Sequence, residues 1–196
     1  MNSLPQTLFH GTGIYCLARI IATNTMREGA HWGKPGEPHG PRFTERFGTA
    51  SEFILYSMYW AEGGVIAVDT STLAQRHRIV RYADSYYSGE QMADEHEYVA
   101  ETPLIDPLAP HLVSIICDPA IIEAASLPEN MQIAMDEGGW PFSCDQAGVN
   151  ECLTALGAVA NHPLLNAWLP EGEAPPFHGN WGQPRANLLA SCNPKV

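Results

Sequence analysis

Four short segments in the first part of the chain constrain its fold more than anything else: "VIAVD" (65–69), "RIVRY" (78–82), "EYVAE" (97–101) and "HLVSIIC" (111–117). Each is short and rich in β-branched residues, the pattern of a buried or half-buried strand. No helix-period segment separates them. A doubly wound dinucleotide fold needs strands and helices in alternation, and no G-x-G-x-x-G follows a strand. The expected class is therefore α+β, with helices first and a run of strands after them.

The helices come early. Ile14, Leu17, Ala18 and Ile21 recur at helical spacing and predict a helix over roughly 14–26. A second helix is expected over 49–61, opened by a Thr49/Glu52 capping box and closed by Gly63-Gly64. Between them, residues 28–41 carry four Gly and three Pro and read as a long loop, with "RFTERF" (42–47) as a brief strand. Residues 83–94 read as another loop. In front of everything lies "TLFHGTG" (7–13), a short strand expected to end on His10 and turn at Gly11-Thr12-Gly13. After Pro119 the texture changes. Residues 120–136 and 150–161 have helical patterns, and 162–196, with six Pro, look irregular. The expected organisation is a core over 1–118 and an extension over 119–196 that packs on it.

Composition narrows the function. The chain has 196 residues and a formal net charge of −12, with ten Lys plus Arg. Affinity for bulk nucleic acid comes largely from neutralised phosphates, so a chain this acidic is a poor general binder. The cluster Arg76, His77, Arg78 and Arg81 reads as a solvated strand edge. Five cysteines, with no C-x-x-C pair, fit reduced thiols better than a zinc site or a disulfide framework. No metal is expected: His31, His39, His96, His111 and His178 lack the i, i+3 or i+4 spacing of a helical site. The start "MNSLPQTLFHG" lacks the basic and apolar regions of a secretory leader, and no apolar run is long enough to span a bilayer. A cytoplasmic protein, or one delivered into a host cell, is the expectation.

Three pieces are candidates for chemistry. His10-Gly11-Thr12 closes the first strand. Gly40 leads "PRFTERF" into the capped helix. In "DEHEYVAE" (94–101), Glu95 and Glu97 stand two apart on a strand and share a face. Taken alone, that acidic pair also reads as a solvated strand edge.

In this order the three pieces resemble the ADP-ribosyltransferase superfamily, in particular the branch related to poly-ADP-ribose polymerases and diphtheria toxin. The resemblance covers about residues 7–117: a first strand ending His-Gly-Thr, a helix, a glycine-led short strand and helix, and a late strand beginning Glu-Tyr-Val. It implies an antiparallel sheet split in two, with flanking helices. It also implies cleavage of NAD, used as co-substrate, at the bond between nicotinamide and ribose, and transfer of one ADP-ribose to a protein or small-molecule acceptor. Glu97 would then stabilise the cationic ribose and hold its 2′-hydroxyl. His10 would bond a ribose hydroxyl, and the Gly11 backbone would floor the nicotinamide beside Thr12. Phe43, Tyr56 and Tyr59 are candidates for stacking. The polymerase-like branch usually has a tyrosine where this chain has Arg42. Thr44, or Phe43 in a shifted alignment, are alternatives for that role, and Arg42 is available to the NAD pyrophosphate. Glu95 would act on the acceptor side. A toxin, effector or phage protein that modifies a host would fit these features. Two rivals stand beside this reading: an NAD-dependent RNA 2′-phosphotransferase, and a catalytically inactive binding module on the same scaffold.

Overall fold

The computed structural model describes residues 4–28, 38–47, 50, 63–82, 97–136 and 139–167. Nine strands lie within them: β1 (Thr7–Gly13), β2 (Met26–Arg27), β3 (Arg42–Thr44), β4 (Gly63–Asp69), β5 (Ile79–Tyr82), β6 (Glu97–Ala100), β7 (Leu104–Ile105), β8 (Leu112–Cys117) and β9 (Leu165–Ala167). The helices are α1 (Ile14–Thr23), α2 (Thr70–Ala74), α3 (Pro119–Ala125), α4 (Pro128–Asp136) and α5 (Gln146–Ala160), with a 3-10 turn at Ala109–His111. Seven strands form one sheet in the order β5-β6-β3-β1-β4-β8-β9, and β2 pairs with β7 separately. Every neighbouring pair is antiparallel except β8 with β9. The α+β class is thus observed, with a mostly antiparallel sheet.

The sheet is two-sided, and register assigns the sides. Leu8 stands opposite Val68, His10 opposite Ile66, and Ile66 opposite Ile115. These side chains share one face. Leu8, Ile66, Val68 and Ile115 join Phe43 and Tyr98, Ile14, Leu17 and Ala18 of α1, and Cys152, Ala155, Leu156 and Val159 of α5 in the main core. The other face carries a smaller apolar group in which Val65 and Ala50 are packed by Phe9, Phe47 and Ile116. Residues beyond Pro119 therefore share the core of the strands. The Tyr15 hydroxyl adds a buried bond to the Ala125 carbonyl at 3.1 Å.

Local chemistry explains where helices α2 to α5 begin and where α1 ends. Asn24 closes α1 in the left-handed region, at φ 54. That conformation suits asparagine, and its Oδ1 accepts the Ala109 amide at 2.7 Å, tying the helix end to the 3-10 turn. Asp69, Asp118 and Asp145 cap α2, α3 and α5 by accepting early backbone amides. The continuous helix expected over 120–136 is two helices. Ser126 and Leu127 turn their amides back onto Glu123 and Ala124, and Pro128, with no amide to donate, starts α4. Asp145 moves the start of α5 ahead of the expected 150.

One expectation at the front of the chain is corrected. β1 does not end on His10. It continues straight through Gly11, Thr12 and Gly13, which stand opposite Val65, Gly64 and Gly63. Gly63-Gly64 open β4, and a Cβ on Gly63 would collide with the Thr12 carbonyl. The two backbones approach closely there, so the strand pairing extends where a turn was expected. The Thr49/Glu52 capping box, most of the 49–61 helix, the 83–94 loop and residues 168–196 lie outside the described residues.

Candidate functional site

The site lies at the joint between β1 and β3. Toward β4, β1 pairs at every residue from Thr7 to Gly13. Toward β3, the ladder has one position, Phe9 opposite Thr44. Beyond it a side chain replaces the backbone ladder: His10 Nδ1 donates to the Arg42 carbonyl at 2.8 Å. A carbonyl can only accept, so Nδ1 carries the proton and the neutral ring keeps its lone pair on Nε2. Burial pushes the His10 pKa below its ordinary value of 6.5, and the bond to the carbonyl opposes that only in part. His10 is therefore a neutral imidazole with an acceptor nitrogen, suited to a hydroxyl donor. Phe43 backs the ring edge-on, with centroids 5.9 Å apart.

The carboxylate is one strand further on. Arg42 stands opposite Val99, Phe43 opposite Tyr98, and Thr44 opposite Glu97. Across the next ladder, Tyr82 stands opposite Glu97. Arg42, Thr44, Tyr82 and Glu97 thus share one face of the sheet, the face of Phe9, while His10, Phe43 and Tyr98 share the other. On the Glu97 face, Arg42 Nη1 meets Glu97 Oε2 at 2.8 Å, with the two side chains 28% and 8% exposed. The guanidinium also lies over the Tyr82 ring, 5.3 Å from its centroid. β3 carries both connections: its Arg42 backbone binds His10, and the Arg42 side chain binds Glu97.

Backbone geometry upstream of Arg42 fixes this arrangement. Gly40 has φ +148, and a Cβ there would overlap the Ala100 carbonyl. Only glycine lets the chain enter β3 so close to β6. The Ala100 amide then donates to the Pro41 carbonyl at 3.1 Å, extending the pairing past Arg42.

Of the residues singled out from the sequence, His10, Arg42 and Glu97 fall on neighbouring strands and connect through β3. Gly11 and Thr12 lie in the extended run of β1, with Thr12 buried. Phe43 is 2% exposed and belongs to the main core, so it orients His10 rather than offering a free face for stacking. Thr44 is buried as well, and its Oγ1 accepts the Arg46 amide at 3.2 Å, steadying the exit from β3. Glu95, Tyr56 and Tyr59 lie outside the described residues.

Two neighbours were not anticipated. Tyr82 supports Arg42, and Glu45 accepts a hydrogen bond from the Tyr98 hydroxyl at 3.0 Å. Tyr82 ends the "RIVRY" strand, but only the register shows that it faces Glu97. The Arg76–Arg81 segment runs into β5, the outer strand of the sheet, where exposed Arg78 pairs with Glu101 at 2.9 Å. Among the described residues, no group of three His, Cys, Asp or Glu side chains could hold a metal ion. No helix among them is long and apolar enough to cross a membrane. No family model, no curated protein and no solved structure matches this chain.

Proposed function

We propose that this chain is an ADP-ribosyltransferase of the polymerase- and diphtheria-toxin-like branch, which cleaves NAD and transfers a single ADP-ribose to a protein or small-molecule acceptor. One observation carries the reading. The two residues picked out by the resemblance, His10 and Glu97, are each hydrogen-bonded to Arg42, which stands where that branch usually has a tyrosine, at separations of 32 and 55 positions in the chain and across three neighbouring strands. The one-position ladder between β1 and β3 supports it as well. It divides the sheet into a β5-β6-β3 part and a β1-β4-β8-β9 part, in keeping with a split sheet.

In this reading NAD lies along the joint between β1 and β3. His10 Nε2 accepts from a ribose hydroxyl. The bond from ribose C1′ to the nicotinamide nitrogen breaks, and its electron pair leaves with nicotinamide, which departs neutral. Positive charge then develops on the ribose. At about 4 Å and an effective dielectric near 20, a carboxylate attracts that charge by about 4 kcal/mol. Glu97 supplies the carboxylate. A nucleophile on the acceptor adds to C1′ and loses its proton.

The test is nicotinamide release from NAD, with and without cell lysate as acceptor. Wild type should release nicotinamide, and Glu97→Gln should release it about a hundredfold more slowly or worse. Equal rates in the two proteins would refute the role of Glu97. The pairing of Glu97 with Arg42 favours one second reading, a binding module whose carboxylate is permanently neutralised. NAD binding without nicotinamide release by wild type would establish that reading instead.

A further inference from the structure

Resting on that reading, we propose that Arg42 is a substrate-operated latch: it holds Glu97 in the free protein and leaves it for the diphosphate of NAD. A carboxylate stabilises a cationic ribose only while its own charge is uncompensated. Here the Arg42 guanidinium lies 2.8 Å from Glu97 Oε2, and at 8% exposure water does little to screen the pair. A developing cation would meet a dipole rather than a charge. The same arginine is the more exposed partner, at 28%, and it rests on the face of Tyr82. Rotation about its long side chain can move the guanidinium while its backbone carbonyl stays bonded to His10.

A diphosphate competes well for such a group. Arginine binds phosphate oxygens bidentately, with more negative charge than one carboxylate offers. Two consequences follow at once when the latch opens. Arg42 grips the part of NAD remote from the reacting bond, and Glu97 sheds the counter-charge that Arg42 held 2.8 Å away, where the ribose becomes cationic. Binding energy from the diphosphate is thereby converted into transition-state stabilisation at C1′. Arg42 thus makes the site specific for a nucleotide that carries a diphosphate next to its ribose.

The probe is nicotinamide riboside, which has the scissile bond and the ribose but no phosphate. Wild type should cleave it slowly, and ADP added in trans should speed that cleavage about tenfold, because ADP supplies the missing diphosphate. Arg42→Gln removes the latch. It should cleave the riboside faster than wild type does, should ignore ADP, and should show a KM for NAD raised about tenfold. A merely structural role for Arg42 would not raise any rate. Arg42→Met, which keeps an apolar stem against Tyr82, should behave like Arg42→Gln and guards against misfolding of one variant. If wild type releases nicotinamide from NAD but ADP leaves riboside cleavage unchanged, the latch is overturned and the transferase reading stands. If wild type neither binds NAD by calorimetry nor releases nicotinamide from it, both fall together.

Discussion

Strand β1 has two unlike edges. Toward β4 it is paired along its whole length, seven consecutive positions from Thr7 to Gly13. Toward β3 it is paired once, at Phe9, and the next link is a histidine side chain. The β4 edge is built as a core element, with Leu8, Ile66 and Val68 fully buried beside it. The β3 edge uses its polar groups differently. There a neutral imidazole, a guanidinium and a nearly buried carboxylate meet within hydrogen-bond distance of one strand. An unbroken ladder would satisfy the backbone and leave no room for a ligand. Where the ladder stops after one pair, the His10 side chain takes the place of a backbone partner for the Arg42 carbonyl. One strand therefore both anchors the sheet and supplies the candidate site, by means of opposite edges.

The largest expected effect tests the anchoring edge. Leu8 and His10 are two residues apart, on the same strand and the same face. Leu8→Ala should cost about 3 kcal/mol of stability by urea denaturation, the usual penalty for emptying a fully buried leucine site. NAD affinity in the folded fraction should change less than about twofold, since Leu8 forms no part of the joint. A large loss of affinity would show that the two edges are not separable.

His10→Ala should do the reverse. It removes the bond to the Arg42 carbonyl and, on the proposed function, the acceptor for a ribose hydroxyl. Calorimetric NAD affinity should fall about tenfold, or roughly 1.4 kcal/mol, with a smaller change in the urea midpoint. If NAD binds His10→Ala as tightly as wild type, the site is not at this joint.

The smallest effect distinguishes the two histidines that serve these regions. His111 is 2% exposed, near the start of β8, on the anchoring side. Its Nδ1 bonds the Thr72 hydroxyl at 3.1 Å, and that hydroxyl itself donates to the Asp69 carbonyl. Nδ1 must then be the donor, leaving the buried Nε2 lone pair without a partner. Protonation would put an unpartnered N–H in the core. Burial lowers the pKa of both His10 and His111 below 6.5, with His77 and Arg76 adding repulsion at His111 and Asp69 opposing it. The unfolded chain therefore binds protons that the folded one refuses. The stability these groups confer is complete above pH 6.5 and is lost as pH falls toward their folded values. The Tm should drop by several degrees between pH 7.5 and 5.5, and His111→Gln should flatten that slope more than it changes NAD affinity. A Tm independent of pH over this range would contradict the assigned tautomers.

Much of the frame was legible because its signals are local. The β-branched runs at 65–69, 78–82, 97–101 and 111–117 lie close to observed strands, and the Ile14–Ile21 spacing marks α1. Gly40 was legible as the residue leading into β3, since a backbone at φ +148 has few alternatives to glycine. Short pieces were not legible. Leu165-Asn166-Ala167 has no β-branched residue and becomes a strand only because the edge of β8 is there to accept it. The run "HGTG" reads as a turn because two glycines so close together usually mean one. In the protein Gly11 stands opposite Val65 and Gly13 opposite Gly63 across a close strand pair, a contact between segments far apart in the chain.

The candidate site divides the same way. The residue types, and their order along the chain, were written in the sequence: a histidine after a short apolar run, an arginine after a glycine, a glutamate opening a strand. These depend on neighbours a few positions away, where local patterning operates. Which face each side chain takes, that Phe43 backs His10 instead of stacking on a ligand, and that Arg42 holds Glu97 over Tyr82 were decided by tertiary structure alone. The physical reason is the period of a strand. A shift of one residue in register sends every side chain to the opposite face, and between strands as far apart in the chain as β1, β3 and β6 no short turn fixes that register, so it is settled when their apolar faces pack together.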